Sequence, residues 1–518
     1  MTTTATGEGV DRRFVLLFLV MLTIAAGNTA LQSVLPALGR SLGVADSGVA
    51  AAFSVSALLW VIAAPFWANR SDRHGRRAMI LLGLGGFTVS LLLCGIFLAA
   101  GINGWIGGSA AFLAFIAGRL IYGAFGSAAP PAVQALVAGE PTRDERTRAL
   151  TLLASAFGLG TILGPAIAPY LILGSIGGVT IGLAGPAFFA AAFGVAMWIA
   201  VRRMLPDDRV PQAETHGTAS AYPSIGGQPT GATVAASTQS HVEPVGYVDT
   251  RIKAWVIVGL VVGHAQAMTG QAIGFLVIDR LRVAPADALQ PTGIVLMMGA
   301  GAALLAQWGI IPLLNLKPRA LILAGVTMSA IGCALTGLAD SLYGIATAYA
   351  LASLGFGFSR PGYTAGASLA VGPAAQGSVA GKITSVNGAS FVLGPSIGVG
   401  LYEIDHRLPY IIAGGGLVLL LGYAWRVLRD AGVPSRGVER NETTSRPRTY
   451  QDDRNHTLRR RRSGSSSINI CGLRQMLFRL NPGPCRKGFY GRATMDHCPR
   501  SPVNPSLSAP WAPTVPAG

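Results

Sequence analysis

Long apolar runs constrain this chain more than any other feature of its sequence. A helix that crosses a bilayer needs roughly 20 mostly apolar residues, and the chain contains twelve such runs. Only 12% of its residues are charged, compared with about 25% in soluble domains. We therefore predict an all-α membrane protein with spans at about 14–38, 49–68, 78–101, 109–138, 148–173, 180–201, 253–279, 290–315, 320–339, 341–371, 378–402 and 409–427.

The spans fall into two groups of six. We predict a six-helix bundle in residues 1–201 and a second in residues 253–429. The segment 202–252 between them is rich in Gly, Ser, Thr and Pro and poor in apolar residues, which predicts a disordered linker. Residues 430–518 form a basic tail without periodicity, for which we also predict disorder.

A pattern of two glycines and a proline occurs in both halves at a constant offset of 230 residues. It comprises Gly158, Gly164 and Pro165 in span five, and Gly388, Gly394 and Pro395 in span eleven. Equivalent helices with the same interruption are typical of an internal six-helix repeat, so we predict that a pseudo-two-fold axis relates the halves.

Basic residues in the short loops predict the orientation, because cytoplasmic loops carry an excess of Lys and Arg. One side carries only Arg40, Arg280, Arg282 and Arg407. We therefore place both termini and the linker on the other side, in the cytoplasm. That side carries Arg12, Arg13, Arg70, Arg73, Arg76, Arg77, Arg143, Arg146, Arg148, Arg202, Arg203, Lys253, Lys317 and Arg319.

The net charge of +17 does not predict nucleic-acid binding, because about ten of these charges fall in residues 429–518. Four consecutive arginines, Arg459 to Arg462, could touch anionic lipid head groups. The tail cysteines form no CxxC pair, so we expect no metal site. The predicted partners are a small-molecule substrate and the lipid bilayer, with no nucleic acid.

The loop between spans two and three has the sequence Ala68-Asn69-Arg70-Ser71-Asp72-Arg73-His74-Gly75-Arg76-Arg77. Gly75 supplies the permissive backbone of a tight turn, and Asp72 can interact with a neighbouring helix N-terminus. The loop resembles the signature G-x-L-A-D-R-x-G-R-R of the major facilitator superfamily, with Ala68 and Arg70 in place of the first Gly and the Leu. The resemblance implies a gating loop that stabilises the outward-facing state, formed by Asp72, Arg73, Gly75, Arg76 and Arg77.

Span four carries an arginine, Arg119, inside its apolar run. Such a charge costs roughly 2.5–3.5 kcal/mol on insertion scales, which indicates a functional or paired side chain. Arg119 and Gly123 together are similar to the family's fourth-helix motif R-x-x-x-G. The resemblance implies a role for Arg119 in proton coupling. Arg360 in span ten is its approximate counterpart. Either arginine could instead tie helices together through helix-end carbonyls.

Span five contains Gly158-Leu159-Gly160-Thr161-Ile162-Leu163-Gly164-Pro165. Proline removes a helix hydrogen bond and glycines allow close helix approach. The residues Gly160, Gly164 and Pro165 resemble the family's antiporter motif G-x-x-x-G-P, which implies export coupled to proton entry. Ala168 and Pro169 replace the closing Gly-Gly of that motif, and helix packing alone is the alternative.

Polar and large side chains share one face in each of spans one, four, seven and ten. These four helices line the central cavity in the family, so the resemblance implies substrate contacts for these side chains. Their mixture of Met, aromatic and amide groups suits a bulky, partly apolar solute, and interhelical hydrogen bonding is the alternative. The residues are Asn28, Gln32, Arg119, Tyr122, His264, Met268, Gln271, Phe356, Arg360 and Tyr363.

We find no Asp or Glu well inside the spans of the first half. Beside Arg119, for which the resemblance implies proton coupling, we therefore assign proton coupling to His264, because histidine changes its charge near neutral pH. Asp72, in the gating loop, and Asp279, near the outer end of span seven, are the alternatives.

The resemblance covers about residues 10–430 and implies the major facilitator fold. It further implies a monomer of the twelve-span drug:proton antiporter branch in a bacterial-type inner (plasma) membrane. We expect no enzymatic activity, since there is no Walker phosphate loop, and no cofactor beyond the proton gradient. A proton-coupled importer of a sugar or organic acid, and a non-transporting sensor or scaffold, remain as alternatives.

Overall fold

The first half of the protein is a set of six long helices. The computed structural model describes residues 6–138, 143–207, 244–314, 316–372 and 375–429, all within one compact unit that spans Met1–Gly437. The first six helices are α1 (Thr6–Ser41), α2 (Asp46–His74), α3 (Arg76–Ile102), α4 (Gly108–Phe125, continued through a 3-10 turn at Gly126–Ala128 into Ala129–Ala138), α5 (Arg143–Ile167) and α6 (Gly185–Met204).

The second half contains six more helices after residue 243. They are α7 (Lys253–Leu281), α8 (Leu289–Leu304, continued through a π turn at Leu305–Ile310 into Ile311–Leu314), α9 (Pro318–Leu338), α10 (Leu342–Leu369), α11 (Gln376–Ile404) and α12 (Leu408–Val427). The predicted tail and residues 208–243 of the predicted linker lie outside the described residues.

The prediction of an all-α membrane protein with twelve long helices is confirmed. In the described residues, eleven helices are long and apolar enough to cross a membrane. The twelfth, α11, carries Lys382, Asn387 and several serines, which lower its mean hydropathy.

One boundary was predicted wrongly, between spans five and six. We predicted helix up to residue 173 and again from residue 180. The chain instead forms a 3-10 turn at Ala168–Leu171 and a hairpin of β1 (Leu173–Ile176) and β2 (Val179–Gly182). Gly177 and Gly178 have φ of 59° and 83° at its turn, the backbone that two-residue hairpin loops require. Apolarity alone did not distinguish these short strands from helix.

Equivalent helices of the two halves pack in equivalent ways. A Cβ at Gly164 in α5 would lie 2.5 Å from the carbonyl oxygen of Ala26 in α1. A Cβ at Gly394 in α11 would lie 2.5 Å from the Cβ of Ala267 in α7. The glycines thus let α5 approach α1, and α11 approach α7, as expected of a repeat.

The halves contact each other along a pseudo-two-fold axis. Helix α2 packs against α11, and its equivalent α8 packs against α5. On the axis, α1 faces α7, and Gln32 Nε2 donates a hydrogen bond of 3.0 Å to Gln271 Oε1. These glutamines are 239 residues apart, as are Arg40 and Asp279, which form an ion pair. Contact between equivalent positions is the property of a two-fold interface.

We name the two ends of the bundle after the helices that begin or end there. The terminal face is the end at which α1 begins and α12 ends, and the far face is the end at which α1 ends and α2 begins. Polar contacts that join the halves cluster toward the far face. They are Arg40 with Asp279, Ser47 N with Glu403, Gln32 with Gln271, and Ser54 with Ser396. The far face is therefore closed in this structure.

Candidate functional site

The α2–α3 turn has the geometry that its sequence predicts. Gly75 joins the two helices with φ 89° and ψ 142°, and its N–H donates to the carbonyl of Ser71 at 3.1 Å. A side chain would be strained at this positive φ, so glycine is required here.

The two arginines after Gly75 anchor the turn to other helices of the first half. Arg76 is buried and its Nη1 donates to the carbonyl of Ala135 in α4 at 2.8 Å. Arg77 Nη2 donates to the carbonyl of Arg202 at the end of α6 at 2.6 Å. The side chains of Asp72 and Arg73 lie outside the described residues, so their predicted gating role stays a prediction.

Arg119 lies buried at the centre of the first half, with 1% of its surface exposed. Its Nη2 donates to Asn28 Oδ1 of α1 at 2.8 Å, and its guanidinium stacks over the rings of Tyr122, at 4.7 Å, and Phe53, at 5.1 Å. A buried cation is stabilised by an amide oxygen and aromatic faces. The structure therefore brings the predicted residues Asn28, Arg119 and Tyr122 together.

In α7, the three predicted residues contact two different helices. His264 is half-buried, with Nδ1 2.8 Å from the carbonyl oxygen of Leu260 and 3.2 Å from Ser390 Oγ of α11. Met268 is buried where Gly398 of α11 approaches α7. Gln271 instead contacts Gln32 across the axis. His264 and Met268 therefore face α11 of their own half, whereas Gln271 faces α1 of the first half.

The stripe on α10 is buried in the second half. Phe356, Arg360 and Tyr363 are 2%, 3% and 1% exposed. The Tyr363 hydroxyl contacts the Arg360 guanidinium and donates to Asn387 Oδ1 of α11 at 2.5 Å. Arg360 occurs 18 residues into α10, whereas Arg119 occurs 11 residues into α4. Arg360 thus lies about 10 Å closer to the terminal face than an exact counterpart would.

Five side chains at the far face form a polar cluster that we call the far-face latch: Arg40, Asp46, Asp279, Tyr402 and His406. Arg40 binds Asp279 through two hydrogen bonds, of 2.5 and 2.9 Å, and Asp46 through two more, of 3.1 and 2.7 Å. Tyr402 donates to Asp279 Oδ2 at 2.6 Å, and the His406 ring stacks on Tyr402. The latch joins α1 and α2 of one half to α7 and α11 of the other.

The antiporter-motif residues form the closest part of the α1–α5 contact. The carbonyl of Gly160 accepts a hydrogen bond of 3.2 Å from the Thr29 hydroxyl. A Cβ at Gly164 would meet the same hydroxyl and would lie 2.7 Å from the Ala30 nitrogen. Pro165 is inside α5, which ends two residues later. The motif's predicted close helix approach is confirmed, and its predicted link to export stays a prediction.

We expect Gly164→Ala to lower the free energy of unfolding by about 1–3 kcal/mol, because the added methyl group meets the backbone of α1. The thermal midpoint of the detergent-purified protein measures this. Gly400→Ala in α11 is the matched control, since a Cβ there would have nothing within 4 Å, and alanine is the better helix former. Equal midpoints for the two variants would contradict the packing argument.

Sequence reasoning missed most of the latch and the α11 residues Asn387 and Ser390. Asp279 was considered alone as a proton site, and Arg40 only as a loop charge. A signal was present: opposite charges stand at the same end of spans one and seven, 239 residues apart. Asn387 and Ser390 gave no such signal, because isolated polar residues in a membrane helix do not identify their partners.

Comparisons with known proteins agree with this architecture. Residues 17–395 match the Major Facilitator Superfamily. "Multidrug resistance protein 2" of Bacillus subtilis is 24% identical over 379 residues, 72% of this chain and 83% of that protein. "Tetracycline resistance protein, class E" of Escherichia coli is 26% identical over 406 residues, 77% of this chain and 90% of that protein. A further match is the solved structure of a bacterial homolog to the human lysosomal transporter Spinster, in its inward-facing and occupied conformation. It has a TM-score of 0.62 at 11% sequence identity, and the match covers 82% of this chain and 98% of that chain.

Proposed function

The chain belongs to the major facilitator superfamily, and we propose that it is a secondary active transporter that exports a hydrophobic drug or metabolite in exchange for protons. Transport proceeds by alternating access: the two six-helix halves rock about the axis and expose a central site to each side in turn. The observation that carries this proposal is the position of the far-face latch, which joins the halves at one end of their interface.

The direction of transport rests on sequence. Relatives whose names specify multidrug or tetracycline resistance match more than 70% of the chain, and Gly160, Gly164 and Pro165 resemble the antiporter motif. We place the terminal face in the cytoplasm, following the basic loops, in a bacterial-type inner membrane. The structure described here is then the state closed to the outside. We propose that the protein acts as a monomer.

Two side chains are proposed to couple transport to protons. Arg119 is a fixed buried charge that a nearby proton or substrate must balance. His264 is half-buried and hydrogen-bonded at Nδ1, so a second ring nitrogen is left to exchange a proton. Asp279, the alternative, is held in the latch by Arg40 and Tyr402.

The direction can be measured in everted membrane vesicles with an imposed pH gradient. An exporter that exchanges solute for protons should accumulate rhodamine 6G when the vesicle interior is acidic, and a protonophore should abolish the accumulation. Expression in a host without its own efflux pumps should raise the inhibitory concentration of at least one lipophilic drug.

Each alternative has its own outcome in that assay. A proton-coupled importer would move solute in the same direction as protons, so an acidic interior would drive solute out. A sensor or scaffold would move none of a broad panel of solutes under any gradient. Either result would overturn the export proposal.

A further inference from the structure

Arg360 is a buried cation whose hydrogen bonds are incomplete. It is 3% exposed, and the hydroxyl of Tyr363 lies close to its guanidinium. Its Nε and Nη1 have no hydrogen-bond partner among the described residues. A buried guanidinium has five donors to satisfy, and leaving them unmet inside a membrane protein is costly.

A hydroxyl group near Arg360 is also without a partner in the described part of the chain. Thr364 lies one turn along α10, and its Oγ1 is buried and makes no hydrogen bond. The guanidinium can only donate hydrogen bonds and the Thr364 hydroxyl can donate one, so a single acceptor group would satisfy both.

No carboxylate of the described second half lies near this depth. Its Asp and Glu residues stand at the two ends: Asp249 precedes α7 at the terminal face, and Asp279, Asp287, Asp340, Glu403 and Asp405 lie at the far face. Arg360, by contrast, is nine residues, or about 13 Å, from the end of α10 at the terminal face.

The cluster extends to a partly exposed residue of α7. Asn387, which accepts from Tyr363, is one turn from Ser390 on α11, and Ser390 contacts the half-buried His264 of α7. The donors of α10 and α11 therefore lie beside a partly open position of α7.

We propose that Arg360, with Tyr363 and Thr364, binds the carboxylate, or an equivalent oxyanion, of the transported solute. This inference rests on the proposed transport function and names one class among its substrates: bulky apolar molecules that carry an oxyanion. Arginine suits this task because its planar fork binds both oxygens of a carboxylate.

Binding of two xanthene dyes by the purified full-length protein tests this proposal. Fluorescein carries a carboxylate, whereas rhodamine 6G has a similar ring system, an esterified carboxyl group and a positive charge. In fluorescence-polarisation titrations, Arg360→Gln should weaken fluorescein binding at least about tenfold. Arg360→Lys, which keeps the charge but loses the fork, should weaken it less. Rhodamine 6G binding should change less than about twofold, which also shows that the variants are folded.

Three results would overturn the proposal: unchanged fluorescein binding by Arg360→Gln, equal weakening of both dyes, or no fluorescein binding by the unmodified protein. The vesicle assay separates this inference from the proposed function. Export of rhodamine 6G with unaltered fluorescein binding in Arg360→Gln refutes the anion site alone. Fluorescein binding that depends on Arg360, without any outward transport, refutes the export function alone.

Discussion

Replacing Asp279 with asparagine is expected to shift the protein toward a conformation that is open at the far face. The substitution keeps the size of the side chain but removes the charge that binds Arg40. Since Arg40 and Asp279 belong to different halves, the lost attraction destabilises only states in which the far face is closed. The fold within each half should be unaffected.

The size of this shift follows from the exposure of the pair. The side chains of Arg40 and Asp279 are 22% and 23% exposed, so solvent screens their attraction in part. The pair is nevertheless bidentate and shares Asp46 and Tyr402 in a network. We expect a loss of about 1–2 kcal/mol, which corresponds to a change of about 5–30-fold in the ratio of closed to open molecules.

Spin-label distances across the far face measure the change. Suitable sites are Trp105, in the α3–α4 loop of the first half, and Tyr343, at the start of α10, which are 63% and 77% exposed. Both would be replaced with cysteine in a protein without its native cysteines. Asp279→Asn should increase the population at long distance.

The next residue of α7 provides the matched control. Arg280 forms an ion pair with Asp340, but both belong to the second half. Arg280→Gln removes the same kind of interaction at the same depth and should leave the distance distribution unchanged. Equal shifts in the two variants would mean that the Arg40–Asp279 pair does not hold the halves together.

The helices were well predicted from the sequence because a bilayer-spanning helix has one main requirement. Each span needs enough apolar length, and that quantity is local to the run. The prediction of helix was wrong at residues 168–173 and 180–182, which belong to an apolar segment that forms a 3-10 turn and then a hairpin through Gly177 and Gly178. The glycine repeat predicted the internal symmetry, because close packing of α5 on α1 and of α11 on α7 requires the same small residues.

The candidate site was predictable as a set of positions but not as a set of contacts. Helical spacing placed Asn28 and Gln32 on one face of α1, yet Asn28 binds Arg119 within its own half and Gln32 binds Gln271 of the other. Which neighbour a polar side chain reaches depends on how the helices pack, and one helix does not encode that. The depth of Arg360 relative to Arg119 depends on the register of α10 in the same way.

Replacing Arg119 with methionine is expected to abolish transport without loss of stability. A charge inside a membrane helix costs roughly 2.5–3.5 kcal/mol, and removing it offsets the cost of about 1–3 kcal/mol that arises because the buried amide of Asn28 loses its donor. If Arg119 served only to tie α4 to α1, the methionine variant, which packs against Phe53 and Tyr122, would still transport. Proton-driven accumulation of rhodamine 6G in everted vesicles should instead fall to the level of vesicles without the protein, while the thermal midpoint changes by less than about 2 °C.

Asn28→Ala separates coupling from helix pairing, because it removes the amide that Arg119 contacts and leaves the charge in place. A buried donor that loses its acceptor costs about 1–3 kcal/mol, so this variant should have the lower thermal midpoint of the two and should retain part of its transport. Arg119→Lys should also retain part, since it keeps the charge. Arg119→Met would then be more stable than Asn28→Ala and yet inactive. An arginine with only a structural role would not produce this combination. Normal accumulation by Arg119→Met, or a fall in its midpoint as large as that of Asn28→Ala, would contradict the coupling role.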